Sequence, residues 1–136
     1  MKVDLTVTMP ASDIEYLESR GITYEVASDV GLTCVILPDW PLPVGYEPDK
    51  ADLLIQLTPQ YPDVPPDMWW FDPAVRLRSG ATIPNADMPQ SCCGRVWQRW
   101  SRHLQPGQWR SGIDGLESYL ALIRTDLERY VPRLAA

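Results

Sequence analysis

No run of about 18 apolar residues occurs anywhere in the 136-residue chain, which excludes a membrane-spanning helix. The opening Met-Lys-Val-Asp-Leu-Thr-Val-Thr has no continuous apolar stretch, so it does not read as a secretory signal. Histidine occurs once, at His103, and cysteine three times. A small, odd number of cysteines does not build a disulfide framework and fits a reducing, cytoplasmic setting. Cys-x-x-Cys spacing is missing as well, which argues against zinc on Cys34, Cys92, Cys93 and His103; no metal and no cofactor is expected. Basic residues are scarce in residues 1–90, five Lys/Arg against fourteen Asp/Glu, whereas residues 91–136 carry seven Arg against four acids. The net charge of −6 speaks against nucleic acid as a partner, and the asymmetry suggests different partners on different faces.

Proline is plentiful: fourteen residues, concentrated between Pro38 and Pro89. That excludes an all-helical fold and favours strands joined by stiff loops within one domain, residues 1–136. Residues 3–8 alternate as a strand does, and Ser12 with Glu15 has the spacing of a capping box for a helix over 12–20. Strand patterns then follow at 22–30, 32–37, 51–58 and 68–71, the first pair joined by Asp29-Val-Gly31. Short connections make these a four-stranded antiparallel meander. Residues 72–93 show no element. From Ser111 onward Ile113, Leu116, Leu120, Ile123 and Leu127 recur at helical spacing, predicting a helix over 112–131 that Pro132 stops. The fold class is α+β.

Between the irregular stretch and that helix lies Gly94-Arg-Val-Trp-Gln-Arg-Trp-Ser-Arg-His-Leu-Gln-Pro-Gly-Gln-Trp109. Three of six tryptophans, the single histidine and Arg95, Arg99 and Arg102 fall inside it, with Arg110 just beyond. Trp and Arg are enriched where proteins grip partners, so Trp97, Trp100, Arg99 and Arg102 are candidate contacts for a bound protein or a transition state. At least one tryptophan is expected to be wall packing instead.

The element order, with Tyr61-Pro62-Asp-Val-Pro65-Pro66 after the third strand, Pro84-Asn85 further on and Trp109 before a helix, resembles the ubiquitin-conjugating enzyme fold over about residues 12–131. The Trp-Gln-Arg-Trp-Ser-Arg-His run is similar to the bacterial ubiquitin-conjugating-like family encoded beside ubiquitin-like proteins, activating enzymes and JAB-type peptidases. Two departures stand out. Ile83 replaces the histidine of His-Pro-Asn, and the last two helices of the classical fold are read as lacking. The resemblance implies a transferase that takes a ubiquitin-like modifier from an adenylating activating enzyme as an acyl adduct. It also allows a non-catalytic variant that only binds the modifier. By analogy, the first helix with Asp13, Glu15 and Glu18 would meet the activating enzyme.

Two atoms compete as nucleophile. Cys93 lies eight residues after Asn85, the classical interval, and a thiolate is the better nucleophile. Ser101 lies eight residues before Trp109, also the classical interval. A serine needs a base. With residues 100–104 extended, His103 and Arg99 would share its face, one to take the proton and the other to steady an oxyanion.

Overall fold

The computed structural model describes residues 9–131; the strand pattern at 3–8 and Pro132 lie outside them. Helix α1 runs Ala11–Ser19. It opens directly after Pro10 without a side-chain cap, so the Ser12/Glu15 capping box does not form. Asp13 turns inward instead. Its Oδ1 accepts the Leu116 amide at 3.0 Å and its Oδ2 accepts the Tyr61 hydroxyl at 2.6 Å. One buried carboxylate thereby caps a second helix 103 residues away and ties down the Tyr-Pro loop. Burial and the Asp13 hydrogen bond push the Tyr61 phenol far above its ordinary range, so it remains the donor. Replacing Tyr61 with Phe should remove about 1.5–3 kcal/mol of stability, the range for a hydrogen bond to a charged group. The check is a denaturant midpoint that falls at constant m value.

Strand β1 (Glu25–Asp29) and β2 (Leu32–Pro41) form a hairpin closed by Val30-Gly31, both at positive φ. Cys34 to Leu37 are buried on both faces, as their unbroken apolar run predicts. β3 (Tyr46–Glu47) pairs with β6 (Arg76–Leu77) in a small separate sheet. The main sheet continues with β4 (Lys50–Leu57) and β5 (Trp69–Asp72). Then come β7 (Met88–Cys92) and β8 (Arg95–Trp100).

The sheet is six-stranded and antiparallel, in the order β1-β2-β4-β5-β8-β7. The four-stranded expectation is therefore short by a hairpin, and 72–93 is not featureless. β7 hides because Met-Pro-Gln-Ser-Cys has a proline and no alternation. It is an edge strand, where a proline costs no ladder bond.

Helix α2 runs Leu116–Glu128, four residues later than predicted from position 112. Ser111 bonds Asp63, and Ile113 is 69% exposed rather than part of the buried stripe. Leu116, Tyr119, Leu120, Ile123 and Leu127 do form that stripe. They pack with Leu17 on the sheet face carrying Leu53, Ile55, Trp69, Phe71 and Trp100. Among the described residues no helix is long and apolar enough to cross a membrane.

The opposite face has its own core of Cys34, Ile36, Leu54, Trp70, Cys92 and Trp97. The sheet seals it by curling. Cys34 on β2 and Cys92 on β7 are four strand steps apart, which in a flat sheet means about 19 Å. Their sulfurs are 3.6 Å apart.

Candidate functional site

The Tyr61-Pro-Asp-Val-Pro-Pro66 loop joins β4 to β5, and its Tyr61-Pro62 bond is cis. Trp109 Nε1 donates to the Pro62 carbonyl at 2.8 Å, and the Trp109 ring lies 6.2 Å from that of Tyr61 and 6.4 Å from that of Tyr119. Trp109 thus fastens the proline loop to α2. Pro66 is buried, Pro65 half-buried, and Asp67 emerges directly after them into solvent.

Strand β8 ends at Trp100, so alternation between faces does not extend through 100–104 as the sequence suggested. Residues 101 and 102 remain bridged to both sides. The Ser101 amide donates to the Asn85 carbonyl at 2.9 Å, and the Met68 amide donates to the Arg102 carbonyl at 3.1 Å. Asn85, exposed and at positive φ, is therefore backbone-paired with a half-buried Ser101. Ile83, where the classical histidine would stand, plugs the core beneath this loop.

His103 projects from the same segment. Its Nδ1 lies 2.6 Å from Asp67 Oδ1. A carboxylate only accepts, so the contact orients the ring with Nδ1 as donor, and in the neutral ring Nε2 is then the acceptor. Sequence reasoning passed over Asp67; the available signal was an acid immediately following the proline pair. His103 also borders a cleft of about 400 Å3 with Trp69, Leu104, Tyr119, Leu122 and Arg129.

Other candidates are placed differently from expectation. Trp97 (1% exposed) and Trp100 (0%) sit in opposite cores of the sheet and cannot meet a partner protein. Arg102 is consumed internally: its guanidinium bonds Asp126 Oδ2 at 2.9 Å, the Pro84 carbonyl at 2.8 Å, the Ser101 carbonyl at 3.2 Å and the Tyr130 hydroxyl at 3.2 Å. It is a rivet, not a free contact for a modifier. Arg99 is half-buried on the face of Trp70, and its Nε finds no partner. Arg95 bridges Asp52 and Asp72 at 2.8 Å each. Asp13 is buried and so absent from any docking surface on α1, while Glu15 and Glu18 are exposed.

Cys93 is not beside Asn85. It lies in the β7–β8 turn, and the five residues of β7 at about 3.3 Å each hold the two at least ~13 Å apart along the strand. Cys93 instead joins Cys34 and Cys92, the three sulfurs lying within 4.8 Å of one another, and His103 is not among them. Burial drives the Cys34 thiol strongly up and the Cys92 thiol up to about 11, so both are protonated and poorly nucleophilic near neutral pH.

Among curated proteins and among solved structures, none matches the chain significantly. The model of the family described as Prokaryotic E2 family E matches residues 9–130. That match takes in both helices and all eight strands of the described residues, the proline loop and the Ser101–His103 segment, and the chain accordingly belongs to this prokaryotic family, with the conjugating-enzyme-like role the family carries as a whole.

Proposed function

We propose that the protein is an acyl carrier that accepts the C-terminal acyl group of a ubiquitin-like modifier from an adenylating activating enzyme and holds it on Ser101 as an oxyester. The Ser101 Oγ attacks the activated carbonyl, an O–C bond forms, and the bond to the activating enzyme's leaving group breaks. The hydroxyl proton passes to Nε2 of His103, whose Nδ1 Asp67 holds. An acceptor amine or hydroxyl then attacks the ester carbonyl, the bond from that carbon to Ser101 Oγ breaks, and the proton held on Nε2 returns to Oγ while the acceptor's own proton is released to the ring. The observation that carries this reading is the 2.9 Å bond from the Ser101 amide to Asn85, which brings the Pro-Asn loop to the serine and not to Cys93.

The test is incubation with activating enzyme, modifier and ATP, followed by chemical challenge of the adduct. An oxyester is cleaved by alkali or hydroxylamine and survives reductant. An adduct removed by reductant and lost in Cys93→Ala would move the acyl group to that thiol. If no adduct forms, the protein is the docking variant, which binds modifier without chemistry.

His103 and Asp67 should be separable kinetically. His103→Gln should slow adduct formation by about 100-fold, the lower end for loss of a general base. Asp67→Asn should slow it by about tenfold, because the pair is exposed (63% and 58% of the side chains) and water partly replaces the carboxylate. Melting temperature should stay unchanged in both, and single-turnover adduct formation is the measurement. Equal, small losses in the two variants would remove His103 from the chemistry.

A further inference from the structure

We infer that Cys34, Cys92 and Cys93 bind a zinc ion, with Asp29 as an outer-shell partner, and that this ion clips the curled sheet shut. The three sulfurs come from two hairpins. Cys34 stands on β2, paired with Ala27 and Gln56, while Cys92 ends β7 and Cys93 opens the turn to β8. Neighbouring residues of a regular strand point to opposite faces, so a Cys-Cys pair in one should part its thiols. Here Cys93 takes φ 54° and the Cys92 and Cys93 sulfurs lie 3.5 Å apart on one side. That left-handed conformation is unusual for a residue with a side chain, and at this turn it makes two ligand atoms converge on a third.

The spacing suits the ion. Tetrahedral zinc with Zn–S bonds near 2.3 Å sets its sulfurs about 3.8 Å apart. Two of the three separations are 3.5 and 3.6 Å, and all lie within 4.8 Å. Asp29, at the end of β1, already reaches this point, its Oδ2 accepting the Cys93 amide at 2.9 Å. The Gln56 side-chain amide donates to Cys92 Sγ at 3.4 Å, the kind of outer-shell bond that orients and tunes a thiolate ligand. The three sulfurs form a borderline-soft donor set suited to zinc, with the fourth position open on the half-buried Cys93 side and Asp29 holding the Cys93 amide just outside the set. Cys34 and Cys92 are buried and Cys93 only half-buried, so the ion enters past Cys93. The cluster sits at the end of β7 away from Ser101, so the ion's role is to hold the β7–β8 hairpin against the β1–β2 hairpin. It also engages the thiol that would otherwise compete for the acyl group.

The full chain, purified without chelator, should carry about one zinc per molecule, and the chelator-stripped chain should titrate with Co2+ to an equimolar end point, giving sulfur-to-cobalt charge-transfer absorption and tetrahedral visible bands. Cys93→Ser, at a half-exposed turn that tolerates the change, should weaken zinc binding by about 100-fold or more, and Asp29→Asn by about tenfold. Chelator should lower the melting temperature of the parent chain and leave that of Cys93→Ser unmoved. These readouts do not involve the modifier, so the clip and the acyl-carrier reading stand or fall separately. The inference is overturned by a Co2+ titration without thiolate absorption, by metal content that survives Cys93→Ser, by copper in place of zinc, or by a purified chain two hydrogens lighter because a disulfide has formed.

Discussion

Ser101→Ala should abolish the modifier adduct, a fall of about 1,000-fold or more in single-turnover formation. The variant deletes one oxygen. The backbone bond from residue 101 to Asn85 and the Arg102 rivet are made by groups that alanine leaves in place. Folding should therefore be untouched and the loss should fall on the chemical step. Ser101→Cys sharpens the test. A thiol at this position is the stronger nucleophile and should give an adduct that reductant removes, converting the chemistry at an unchanged position. If Ser101→Ala keeps a normal adduct, the serine reading fails. If Ser101→Cys forms no adduct while wild type does, geometry around Oγ rather than nucleophilicity is limiting, and His103 is poorly placed to serve it.

Much of the scaffold can be read directly from residue patterns, because those patterns report local physics. The apolar run Cys34–Leu37 is buried on both faces, Asp29-Val-Gly31 turns a hairpin, and the stripe from Leu116 to Leu127 faces the core. What escapes is whatever depends on distant partners. Asp13 and Leu116 are 103 residues apart, and nothing near Asp13 says its carboxylate will cap α2; the local Ser12/Glu15 pattern points elsewhere. His103 and Asp67 meet across 36 residues, and Cys34 meets Cys92 across 58. The Trp/Arg segment misleads for another reason. Trp97 and Trp100 are three apart, so in a strand they point to opposite faces, and both faces of this curled sheet are cores. A composition suited to gripping a partner is here a strand whose two tryptophans are buried, one on each side, and the reactive candidates lie just past its end.

Arg102→Ala should destabilise the fold strongly, by about 3–5 kcal/mol. The side chains of Arg102 and Asp126 are only 15% and 8% exposed, and their bond is 2.9 Å long. Removing the cation leaves a buried carboxylate whose other contact in an ion pair is the exposed Arg129, 3.8 Å away. It also gives the exposed Pro84 carbonyl back to water and takes a cation off the Trp100 face, where the guanidinium carbon lies 5.1 Å from the ring centroid. Lysine is no substitute, because a point charge cannot reproduce a fork that serves Asp126, Pro84, Ser101 and Tyr130 together. The discriminating comparison is Arg102→Met combined with Asp126→Leu. With both charges gone the desolvation penalty goes too, and most of the lost stability should return. Activity should not return with it. The same guanidinium holds the carbonyls of Pro84 and Ser101, so in the double variant the Pro-Asn loop keeps only the Ser101 amide bond to the Asn85 carbonyl and loses the side-chain tie that fixes the serine against it. Denaturant midpoints for the two variants, set beside adduct rates measured where both are folded, separate the roles. A loss below about 1 kcal/mol in Arg102→Ala would mean that the pair behaves as an exposed one, while full activity in the stable double variant would mean that the loop needs no rivet.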